Sequence, residues 1–62
     1  MNTEINPSES QLTDLRRLKN YFPYRVVWLA ISPDGSDWRT GADSTKHKVN
    51  ALARKGWHAW TI

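Results

Sequence analysis

Catalysis and metal binding need particular side chains brought together, and this 62-residue chain offers few sets that qualify. Its two histidines, His47 and His58, fall in a helical and an extended stretch with no carboxylate motif beside them. Zinc sites space their ligands far more tightly than that. Cysteine is absent, which removes disulfides, thiolate metal sites, iron–sulfur clusters and cysteine nucleophiles together. Serine, histidine and aspartate all occur, yet no nucleophile-elbow pattern sets a serine beside a base. Gly35, Gly41 and Gly56 stand apart as turn or cap residues, not as a phosphate-binding run. The acids are scattered singly and give no readable catalytic pair. A non-enzyme without metal or cofactor is the expectation.

Binding chemistry is better represented. Around residue 50 a helical stretch carries Lys46, His47, Asn50 and Arg54, which suit phosphate contact and, through Asn50 and Arg54, base edges. Plain solvation explains such a face equally well, since surface helices are normally charged outside. From Ser44 to Ile62 there are four Lys/Arg and no acid, and Arg16, Arg17 and Lys19 form a second basic knot. Nine Lys/Arg against six Asp/Glu leave a net charge of +3, which suits an anionic partner without demanding one.

Four tryptophans are many for so small a body to enclose. Trp28 and Trp57 are expected inside, and Trp38 and Trp60 partly exposed with Arg39, Lys46 and Arg54 flanking them. Exposed tryptophan serves base stacking or anchors a protein interface. The candidate partner-binding residues are therefore Trp38, Arg39, Lys46, His47, Asn50, Arg54 and Trp60.

Those side chains need elements to hold them. Residues 1–5 carry no pattern and read as a flexible N-terminus, with one domain over residues 6–62. A first helix starts at Asn6-Pro7-Ser8-Glu9, with Asn6 as cap, or two residues later with Ser8 and Gln11 as the capping box. Leu12, Leu15, Leu18 and Phe22 form its apolar stripe, and Pro23 ends it. Tyr24 to Ser32 is a strand apolar on both faces and so a central one. Ser32-Pro33-Asp34-Gly35 is a turn, and a short strand from Asp37 to Thr40 returns antiparallel until Gly41 breaks it. Asp43 or Ser44 caps a second helix over about residues 45–55, stopped by Gly56. Trp57 to Ile62 alternates as a last strand. The reading is an α+β fold of order α-β-β-α-β with a three-stranded, mainly antiparallel sheet. Val27, Leu29 and Ile31 are expected to meet Val49, Leu52 and Ala53 of the second helix. The first helix then covers Tyr24, Val26 and Trp28.

The stretch from YRVVWL to VNALARKGWHAWTI resembles small uncharacterised bacterial domains of the DUF4177 type. Tyr24, Val26, Val27, Leu52, Gly56, Trp57 and Ile62 carry the resemblance, over about two-thirds of the chain. It implies a strand, a helix ending in a Gly-Trp step and a hydrophobic last strand. It brings no activity with it.

The longest apolar run, Val26 to Ile31, is far short of the ~20 residues that span a membrane, and no secretory leader opens the chain. A cytoplasmic protein is expected. The leading functional reading is a small modulator or inhibitor that binds a protein partner through a sheet edge and exposed aromatics. Its size and character suit a phage or mobile-element product. The feature behind the leading reading is WHAWTI, which as an edge strand could pair with that partner or with a second copy in a homodimer. The alternative is a basic nucleic-acid-binding module that presents Trp and Arg on a sheet, with a basic helix behind, to DNA or RNA.

Overall fold

The computed structural model describes residues 4–62. The expectation of a flexible start lies, for residues 1–3, outside them. Ile5 is half-buried, and its side chain lies over the turn at Gly35. The elements run α1 (Glu9–Tyr21), β1 (Val26–Ile31), β2 (Trp38–Asp43), α2 (His47–Arg54) and β3 (His58–Thr61). The sheet order is β2-β1-β3 with both pairings antiparallel, so this is the expected α+β fold with β1 central.

The N-terminus of α1 resolves the two capping options. Ser8 caps it: Gln11 N–H donates to Ser8 Oγ at 3.2 Å, and Ser8 N–H donates to Gln11 Oε1 at 2.8 Å. The reciprocal pair satisfies two amide hydrogens that a helix start otherwise leaves open. Leu15 is buried and Leu18 half-buried, while Phe22, at the C-cap, is 42% exposed.

The hairpin register is set at its turn. Gly35 N–H donates to the Ser32 carbonyl at 2.9 Å with Pro33 at the second position, and Gly35 takes φ +80°. Asp34 Oδ1 accepts from Ser32 Oγ (2.8 Å), Ser36 Oγ (2.7 Å) and Ser36 N–H (3.0 Å). Those bonds, the Ser36 hydroxyl first, hold the carboxyl down at about 2 from its ordinary 3.8. A folded-state value below the unfolded one stabilises above the unfolded value and is lost as pH falls through the folded value. The stability margin of the wild type over Asp34→Ala should thus be constant above about pH 5 and narrow from pH 3.8 towards 2. Urea melts of both proteins across that range check this; a margin that stays flat contradicts it.

Ser32 N–H donates to the Asp37 carbonyl, so even-numbered residues of β1 bond towards β2 and odd-numbered ones towards β3. Ile62 N–H donating to the Val27 carbonyl agrees with this. The parity decides which helix covers which face. The β2-α2-β3 connection joins two parallel strands that flank β1, and such crossovers are right-handed. With L-residues in this pairing, a right-handed path carries α2 over the even face.

That corrects the expected packing. Leu15 and Leu18 of α1 pack with Val27, Leu29, Ala42 and Trp60, whereas Val49 and Leu52 of α2 pack with Trp28, Ala30 and Trp57. Ala53 is exposed instead of joining the core, and Tyr24 is fully exposed ahead of β1. Two further expectations change. Gly41 does not break β2, which continues to Asp43. Neither Asp43 nor Ser44 caps α2: Lys46 stands at the N-cap with no side-chain bond, and Asp43 is engaged elsewhere. Gly56 does follow the helix, with φ +92°.

Candidate functional site

The two helices are staggered. α1 packs on β1 and β2 across one face, and α2 packs on β1 and β3 across the other. On the α2 face this leaves a cleft of about 580 Å³ between α2 and β2. Trp28 makes its floor. The indole lies across Gly41, the residue opposite it in β2, and its Nε1–H donates to Asp43 Oδ2 at 2.8 Å. A Cβ on Gly41 would stand 2.5 Å from Trp28 Cζ2, so glycine is required by close approach, not by its φ.

Three cations line this cleft. Arg39 comes from β2, Lys48 from α2 and Lys55 from the C-cap of α2, with small Ala51 between the two lysines. The Arg39 side chain reaches across buried Ala30 to place its guanidinium carbon 5.2 Å from the Trp57 ring centroid. This is cation–π distance and fixes the group without a carboxylate. None of the side-chain hydrogen bonds among the described residues involves Arg39, Lys48 or Lys55. Asp43 is the cleft's one acid, and one of its oxygens is taken by Trp28.

The outer edge of β2 runs beside the cleft. Because Arg39, Gly41 and Asp43 bond inward to β1, the backbone N–H and C=O of Trp38, Thr40 and Ala42 point outward. Asp37 Oδ1 accepts the Trp38 N–H at 2.8 Å, which occupies one end of that row. On the α1 face a smaller groove, about 220 Å³, lies between β2 and the flank of α1 bearing Asp14, Arg17, Leu18 and Tyr21. Thr40 lines both hollows. One edge residue is therefore flanked by open space on both faces of the sheet.

The sequence-derived candidates are divided by this geometry. Trp38 pairs with Ile31 and Trp60 with Leu29, which places both on the α1 face. Trp38 is 39% exposed, and Trp60 is partly exposed where it packs against the Leu15, Val27 and Leu29 core, as expected of both. Trp28 is buried, as expected, whereas Trp57 is only half-buried. Arg39, Lys46, His47, Asn50 and Arg54 lie on the other side of the sheet, so the basic group does not flank those two indoles. His47, Asn50 and Arg54 project from α2 opposite Val49 and are exposed, as is Lys46. Of the nominated residues only Arg39 enters the cleft. Lys48 and Lys55, outside that set, also line the cleft, and their seven-residue spacing puts them on one side of a helix. Gly41 and Trp28 needed the hairpin register.

Among the described residues no three potential metal ligands converge, and no helix is long and apolar enough to cross a membrane. No family model, curated protein or solved structure matches the chain.

Proposed function

We propose that this protein is a small non-enzymatic binding protein, a modulator or inhibitor of a macromolecular partner, and that it engages a protein by accepting a strand on the outer edge of β2. One observation carries this reading: the outward backbone groups at Thr40 lie between two hollows, one on each face. Strand addition uses main-chain hydrogen bonds for affinity and pockets for alternate side chains for specificity, and both are at hand here. A nucleic-acid module reading bases on its sheet needs an open aromatic face. Here α1 and α2 each cover one face of β1, and Trp28 is buried beneath α2. That geometry favours a protein partner.

Thr40→Pro tests the reading. Its outward N–H bonds to no strand of the domain, and proline is tolerated on sheet edges, so the fold should survive by circular dichroism. Peptides enriched from a random-peptide library on the wild type should bind Thr40→Pro about tenfold more weakly or worse. Random-sequence DNA and RNA should show no salt-sensitive binding. Peptides that bind folded Thr40→Pro as well as wild type, or tight salt-sensitive nucleic-acid binding in their place, would overturn it.

A further inference from the structure

We infer that the segment accepted by β2 is an extended strand alternating acidic and apolar side chains, its acids turned towards α2 and its apolar residues towards α1. This rests on β2 being the docking edge. Side chains alternate between faces along any strand. A strand laid beside β2 sends one set level with Arg39, Gly41 and Asp43 into the larger cleft. The other set, level with Trp38, Thr40 and Ala42, enters the groove against α1.

Charge selects what fits the first set. Among the described residues Lys48 and Lys55 bring two positive groups free of side-chain hydrogen bonds, while the Arg39 guanidinium is turned inward over Trp57 and adds its charge from there; Asp43, the one acid, accepts from Trp28. Lys48 and Lys55 are two helical turns apart, about 10 Å along the axis. Acids at alternate strand positions recur every ~6.7 Å, so successive carboxylates fall within reach of two lysine stems. Gly41, having no side chain, lets the Trp28 indole lie across β2 as a flat floor. In the second groove Asp14 and Arg17 offset one another in sign, and Leu18 and exposed Tyr21 supply apolar surface. Valine-like side chains suit it.

The test uses four synthetic peptides in one soluble frame: alternating Glu/Val, the same composition in blocks, alternating Lys/Val and alternating Thr/Val. Binding is read from the amide chemical shifts of Thr40 and Ala42 during titration, and from Ala42 alone in Thr40→Pro, where residue 40 has no N–H. Alternating Glu/Val should bind tightest, and the Lys48→Glu/Lys55→Glu protein should bind it about tenfold more weakly with Thr/Val unaffected. Thr40→Pro should weaken both. Equal affinity for Glu/Val and Thr/Val, each lost in Thr40→Pro, would overturn the acidic preference while leaving the docking edge standing. No shift at Thr40 with any alternating peptide would overturn both. Blocked peptide or single-stranded DNA competing equally for Lys48 and Lys55 would make the cleft a general polyanion site and overturn the inference.

Discussion

Gly41→Ala is expected to destabilise the domain by about 1–3 kcal/mol or more, the cost of forcing a methyl group into a packed interior. The new Cβ would fall 2.5–2.9 Å from three atoms of the Trp28 indole. That ring cannot swing away cheaply. Its Nε1–H is bonded to Asp43, and Val49 and Leu52 of α2 close over it. A domain of this size has little stability to spare, so urea melts should show a clearly lowered midpoint. Trp28→Leu supplies the control: once the indole is gone, adding alanine at 41 should cost little further. Costs that simply add would mean that the indole is not what excludes the side chain.

Leu29→Ala should cost about 2–5 kcal/mol, enough to leave much of the protein unfolded without denaturant. Leu29 is fully enclosed, with Leu15, Val27 and Trp60 around it, so truncation leaves a cavity between β1 and α1. The partner choice is testable in the same series. Leu15→Ala, on α1, should couple to Leu29→Ala in a double-mutant cycle, and Leu52→Ala, on α2, should not. Thermal or urea unfolding of the four variants decides it. Coupling to Leu52 and not to Leu15 would restore the opposite packing.

Element types were legible because each has a local cause. Ser8 and Gln11 start α1, the Pro-Asp-Gly turn closes the hairpin, and Gly56 follows α2 with positive φ. A strand apolar on both faces had to be central, and β1 is. Which helix covers which face is not a periodicity question, because both faces of β1 are apolar and burial has no direction. It follows from chirality once the turn is paired. Ser32 opposite Asp37 sends even residues towards β2, and a right-handed crossover then carries α2 over Trp28 and Ala30.

The site was less legible for a related reason. The Gly41 position reads as a chain break until Trp28 is known to lie opposite it. Asp43 reads as a helix cap until its carboxylate is seen to accept from the indole. Lys48 and Lys55 look like part of a solvated face, and only the offset of α2 towards β3 turns them over a cleft. Trp60 reads as partly exposed on composition and is so, but its pairing with Leu29 sets it against the α1 core and away from the basic helix. The offset of the helices thus links sequence to proposed function: covering β1 twice and each outer strand once leaves β2 open beside three cations.

Residue-resolved amide hydrogen exchange, free and with the tightest library-selected peptide bound, tests the docking edge most directly. In the free protein Arg39 and Gly41 amides, bonded inward to β1, should exchange slowly, while Thr40 and Ala42 exchange fast. Binding should slow Thr40 and Ala42 and leave Ala59 and Thr61 of β3 unchanged. Slowed exchange at Ala59 and Thr61, with Thr40 still fast in the complex, would contradict the account.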